Sequence, residues 1–149
     1  MTIRLSDSAP APRGVLRYEV RRAGKLIETF EDRNLVVVGM SQSLANLIGG
    51  ITANQSVTQI GFGTNGAAPV VGNASLTGAY VKALGAPTFP TAGLVSFPFT
   101  LGTGEANGTA IMEFGLFTAG SVLVARRVRS AALNKDTDIS LSGTWSIQF

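Results

Sequence analysis

Cysteine and histidine are both absent from the 149 residues. Without cysteine there is no disulfide, no thiolate metal site and no cysteine nucleophile. Without histidine, Ser-His-Asp and Cys-His catalysis are excluded, and so are His-bound zinc, copper and iron. Acid–base or nucleophilic work is left to Asp, Glu, Lys, Tyr, Ser and Thr. Charge is scarce as well, at 14% of residues. Long apolar runs are missing: the long uncharged stretches are interrupted by Gly, Pro, Asn and Gln, so none has the roughly 18 consecutive apolar residues of a membrane helix. Met1-Thr2-Ile3-Arg4-Leu5-Ser6-Asp7 has no apolar core of signal-peptide length. These absences lead us to expect a soluble protein made in the cytosol, with no membrane partner and no cofactor.

What is present points to a sheet. Hydrophobic residues make up 45% of the chain, which argues against disorder throughout. Eighteen glycines, together with many Val, Ile, Thr and Phe, favour a mostly β chain with many turns. The length suits one domain with a real core. The net charge of +3 is too small, and the N-terminal arginines too interleaved with acids, to favour nucleic acid as a partner.

Residues 1–13 hold Pro10 and Pro12 and show no periodicity. They are expected to form an N-terminal arm, either a flexible tail or a segment that orders on a neighbouring subunit. Residues 14–149 are assigned to a single domain. Leu16, Tyr18 and Val20 alternate with charged residues, and Ala23-Gly24 marks a turn before a returning strand from Lys25 to Asp32. Leu35–Val38 is apolar enough for a further strand or an extension. Met40, Leu44, Leu47 and Ile48 follow helical spacing, with Ser41 or Ser43 as a cap and Gly49-Gly50 as the stop. Strands are expected over 57–62, 78–84 and 94–101, the last an edge strand or one with a bulge because it contains Pro98. Residues 110–129 read as a hairpin around Thr118-Ala119-Gly120-Ser121. From Asp138 to Phe149 apolar or glycine positions alternate with polar ones, mostly serine and threonine, the cleanest strand pattern in the chain. The fold class is therefore mainly β: an antiparallel β-sandwich with one short α-helix.

Between Asn34 and Ala110 only Lys82 and Glu105 are charged. A monomer's surface is normally about a quarter to a third charged, and subunit interfaces are depleted in Lys, Glu and Asp. This stretch is therefore expected to lie against other subunits. Charge returns in the 110–129 hairpin. Glu113 stands among apolar neighbours, and Arg126, Arg127 and Arg129 close the second arm. Glu113 is expected either to face outward or to pair with one of these arginines. The four residues Glu113, Arg126, Arg127 and Arg129 form the candidate interface or anchor.

Other motifs give way to plainer readings. Gly61-Phe62-Gly63-Thr64-Asn65-Gly66 matches G-x-G-x-x-G, but no helix opens after it and no acid follows at the ribose position. It reads as a glycine-rich turn. Asp136 and Asp138 near Asn134 lack the oxygens, central glycine and distal glutamate of a calcium loop, and read as a turn before the last strand.

Four pieces, in order, resemble small structural proteins of tailed bacteriophages. They are Val57–Gly66, Leu101–Gly108, Glu113–Gly120 and Leu133–Phe149. The element Glu113-Phe114-Gly115-Leu116-Phe117 with Leu123-Val124-Ala125-Arg126 also looks like the anchoring domains at the start of phage tail fibres. This chain does not carry the repetitive shaft of such fibres, so a stand-alone module is expected. The resemblance implies a non-enzymatic virion component whose partners are other virion proteins and copies of itself. Its place would be a tail, baseplate or fibre attachment, with capsid decoration as the alternative and host-receptor binding as a further one. An enzymatic alternative, glycan hydrolysis by two carboxylates, would rest on Glu105 and Glu113.

Overall fold

The computed structural model describes residues 10–149. The first hairpin joins β1 (Arg13–Arg22) to β2 (Lys25–Val36). Its two-residue turn, Ala23-Gly24, has positive φ at both positions (47° and 78°), the backbone that matches the twist of a hairpin. Leu16, Tyr18 and Val20 point into the core, as their alternation requires. β2 runs on without a break through Leu35-Val36, so the apolar run beyond Asp32 is an extension and not a separate strand. Most of the expected arm, residues 1–9, lies outside the described residues, and Arg13 already belongs to β1.

Helix α1 (Val38–Ile48) follows directly. Its start differs from expectation. Val37 occupies the N-cap without a side-chain hydrogen bond, and Ser41 and Ser43 lie inside the helix. Tertiary contacts replace the cap: Val37 N–H donates to Val124 O, and Val38 N–H to Val71 O. The buried face also differs. Gly39, Met40 and Ser43 are buried, whereas Leu47 and Ile48 are exposed, Ile48 at 88%. Gly39 sets this rotation. A Cβ there would fall 2.1 Å from the Leu123 carbonyl oxygen, so this side of the helix lies directly on β7. The helix stops where expected, with Gly50 left-handed (φ 86°).

The remaining strands are β3 (Val57–Gly63), β4 (Tyr80–Ala83), β5 (Leu94–Leu101), β6 (Ala110–Thr118), β7 (Leu123–Asn134) and β8 (Ile139–Gln148). All eight form one antiparallel sheet in the order β4-β3-β6-β7-β2-β1-β8-β5. The sheet folds over, so that its two four-stranded halves face each other around one core. Tyr18 on β1 stacks on Phe114 of β6 with ring centroids 5.0 Å apart, and Phe62 on β3 lies 6.2 Å from Phe99 on β5. Along one side the strand pairing between the halves is short, Leu35↔Arg126 and Val36↔Ala125. On the other side Leu84 N–H donates to Thr58 O and Gly85 N–H to Pro98 O, so the sheet is nearly closed. β5 is a terminal strand, as the edge reading of Pro98 expects. The Pro98 carbonyl, and with it the ring nitrogen, faces away from β8.

β8 carries the central core residues. Ile139, Leu141, Trp145 and Ile147 are all buried, in the alternation read from the sequence. The Trp145 indole N–H donates to Asn34 Oδ1 at 2.8 Å, which satisfies the one polar atom of the largest core side chain. Asn34 fits because its cross-strand neighbour is Gly14: a Cβ there would fall 1.9 Å from Asn34 Oδ1.

Candidate functional site

The β6–β7 hairpin places the four candidate anchor residues, but it does not bring them together. Glu113 and Arg126 lie on the outer face of the sheet, away from the main core. Their side chains pair at 2.7 Å (Arg126 Nε to Glu113 Oε2), with exposures of 0% and 1%. The cross-hairpin ion pair expected for Glu113 therefore forms, with Arg126. Strand alternation sends Arg127 and Arg129 to the opposite face. Arg127 pairs with Asp32 and lies over the Phe30 ring. Arg129 donates to both Glu28 oxygens at 2.8 and 3.1 Å and to the Tyr18 hydroxyl. Both arginines thus tie β7 to the first hairpin, and only these two of the four keep partial exposure.

What buries Glu113 and Arg126 is a long strap, residues 64–79, that links β3 to β4 and crosses the outer face of the sheet. Glu113 Oε1 accepts the Thr77 N–H at 2.7 Å and the Asn65 N–H at 3.2 Å. Arg126 donates through Nη1 to Asn73 Oδ1 and through Nη2 to the Asn65 carbonyl. Each charge is thereby satisfied by its partner and by strap groups, the condition under which a buried ion pair is tolerated. Beside the pair, Leu76 of the strap joins Phe117, Leu123, Val37 and Leu35 in a second small apolar cluster.

The G-x-G element is explained by the same strap. Gly61 stands opposite Gly115, and Gly63 opposite Glu113. A Cβ at Gly61 or Gly115 would fall 3.0 Å from Leu76, and one at Gly63 would fall 2.5 Å from Glu113 Oε1. These glycines form a floor on which the strap can lie against the sheet. Strand glycines that mark a close approach of other chain are a general pattern.

The two charges of the low-charge stretch find each other. Lys82 Nζ lies 2.7 Å from both oxygens of Glu105. The Lys82 hydrogen bond, with the Gly102 N–H, holds the Glu105 carboxyl below its usual range. Glu105 and Glu113, the pair on which glycan hydrolysis would rest, are thus each engaged with a different cation. Asp138 pairs with Arg22, and Asp136 Oδ1 accepts the Thr137 N–H, which fits their reading as turn residues. Among the described residues, no three His, Cys, Asp or Glu side chains are grouped as metal ligands.

One charged residue escaped the sequence reading. Lys135 is only 2% exposed. Its ammonium donates to Asn107 Oδ1 at 2.8 Å, Asp136 O at 3.0 Å and Thr103 O at 3.4 Å. Burial pushes its pKa down, against the pull of Glu105, Asp136 and Asp138. It holds residues 103–107 to the β7–β8 turn. Its place next to Asn134 and Asp136 concealed it, because such polar clusters usually face water.

The uncharged stretch supplies both core and surface: Met40, Ile60, Phe62, Phe97, Phe99 and Leu101 are buried, while other apolar side chains of the same stretch face solvent. Twelve large hydrophobic side chains are exposed among the described residues, and all but Leu26, Ile27 and Phe149 lie between residues 34 and 110. They include Ile48, Ile51, Val70, Val71 and Phe89, each more than half exposed. Among the described residues no helix is long and apolar enough to cross a membrane. No family model matches the chain, and neither a curated protein nor a solved structure does.

Proposed function

We propose that this chain is a non-enzymatic structural protein of a tailed-phage virion, placed in the tail, baseplate or fibre attachment, and that it works by binding other virion proteins and copies of itself. One observation carries the reading. The stretch from Asn34 to Ala110 leaves apolar side chains exposed, and its only two charges are neutralised by each other. Depletion of Lys, Glu and Asp around apolar side chains is what the core of a subunit interface requires. Association would draw on burial of that surface at about 25 cal/mol per Å2. The polar rim would come from the first hairpin, where Arg17, Glu19, Arg21 and Arg22 lie at the surface.

Copy number tests the assignment. In purified virions, a few copies per particle relative to the major capsid protein fit a tail or fibre attachment. A ratio near that of the shell subunits moves the protein to capsid decoration. Absence from the particle removes the structural reading altogether.

A further inference from the structure

The chain contains two Asn-Gly pairs, Asn65-Gly66 and Asn107-Gly108, and the fold treats them differently. We propose that Asn107 is a site of spontaneous deamidation, and that its aspartyl product supplies the carboxylate partner that the buried Lys135 ammonium lacks.

The chemistry needs no catalyst or co-reactant beyond water. The Gly108 backbone nitrogen loses its proton to solvent and attacks Asn107 Cγ. Nδ2 takes up a proton from solvent, the Cγ–Nδ2 bond breaks, ammonia leaves, and a five-membered imide remains. Water opens the ring. Opening at Cγ restores the main chain and leaves an aspartyl carboxylate; opening at the backbone carbonyl gives the isoaspartyl form. Glycine after the asparagine favours the attack because no Cβ crowds the nitrogen.

Three features single out Asn107. Its side-chain oxygen, the atom that gains negative charge as the nitrogen adds, already accepts a hydrogen bond from the Lys135 ammonium at 2.8 Å. Residue 107 is exposed and lies in a turn where Gly108 is left-handed (φ 84°). The three oxygens around Lys135 Nζ are two carbonyls and one amide, none of them a carboxylate. A carboxylate at position 107 would replace a neutral acceptor with a charged one at a buried cation, and charge-assisted hydrogen bonds are the stronger kind. The Gly108 N–H donates to the Lys135 carbonyl at 2.9 Å, so the attack waits for the turn to open.

Asn65 is an internal control. Its N–H is held by Glu113, its carbonyl by Arg126, and its Oδ1 accepts the Ala67 N–H. Reaction there requires the strap to lift from the buried ion pair.

The test follows both peptides by mass spectrometry as the purified chain ages in mildly alkaline buffer. Asn107 is expected to exchange its amide for an acid at least about tenfold faster than Asn65, which corresponds to about 1.4 kcal/mol of extra opening cost at the strap. Conversion at Asn107 no faster than at Asn65 overturns the site. A second measurement addresses the new ion pair. Asn107→Asp is expected to raise Tm by roughly 2–4 °C, and the gain is expected to vanish in a Lys135→Met background. A lower Tm for Asn107→Asp, or the same gain without the ammonium, overturns the pairing.

Discussion

Hairpins β1–β2 and β6–β7 have the same topology, and both carry arginine–carboxylate pairs, yet they use charge in opposite ways. On β1–β2 the Arg17–Glu31 pair stands in water, with side chains 65% and 60% exposed. On β6–β7 the Glu113–Arg126 pair is closed off under the strap. An exposed pair gains little, because water screens it and two long side chains must be ordered. A buried pair costs desolvation for both ions, and that is offset only if every remaining donor and acceptor is matched. The strap supplies the matches. The first hairpin presents charge to solvent, while the second uses charge to fix a long, otherwise uncharged loop.

The comparison is broken most severely at Arg126. Arg126→Met leaves the Glu113 carboxylate buried without its cation, which should cost about 3–5 kcal/mol. Urea unfolding measures the loss, and limited proteolysis should cut first within residues 64–79. A cost near that of a surface substitution would mean that the strap is held by its apolar contacts instead.

The next effect lies where the two hairpins meet. Burial pushes the Tyr18 hydroxyl up to about 12, with Arg129 opposing the rise. A group whose pKa is raised on folding contributes stability below its unfolded value and loses it as pH climbs through the folded one. The rise from the ordinary tyrosine value of about 10 to about 12 corresponds to about 2–3 kcal/mol, lost between pH 10 and pH 12. Tyr18→Phe should flatten this part of a stability–pH curve; an unchanged slope would assign the loss to other groups.

Gly115→Ala should cost about 1–3 kcal/mol, because the new methyl meets Leu123 and Leu76 side-chain carbons at 2.7 and 3.0 Å. A smaller cost would show that Leu76 can swing aside and that the strap is looser than its hydrogen bonds imply. The smallest effect is expected at Arg17→Ala, within about 1 kcal/mol. A cost as large as that at Arg126 would erase the difference between the hairpins.

How much was legible follows from the range of each signal. Period-two alternation marked β1 and β8 closely, because both have one face on the core, whereas Pro98 left β5 as either an edge strand or a bulged one, and the sheet order chose the edge. The face of α1 was misread because Gly39 and the Leu123 carbonyl set its rotation, and a backbone contact leaves no hydrophobic signal. Glu113 was visible as an acid among apolar residues, but nothing local chose between Arg126, Arg127 and Arg129. Burial of Lys135 was invisible, since two of its three partners are backbone carbonyls.

By itself the sequence determined a mainly β chain with one helix, the β6–β7 hairpin and a middle stretch nearly without charge. These features follow from local rules of side-chain alternation, glycine turns and composition. Only the tertiary structure decided that the uncharged stretch leaves apolar side chains exposed, that Gly61 and Gly63 make a floor for the strap, and that one arginine of three is buried. Those outcomes depend on which segment crosses which face of the sheet, and that is settled by contacts between residues far apart in the chain, such as Arg126 with Asn65, 61 positions away, and Arg129 with Glu28, 101 positions away.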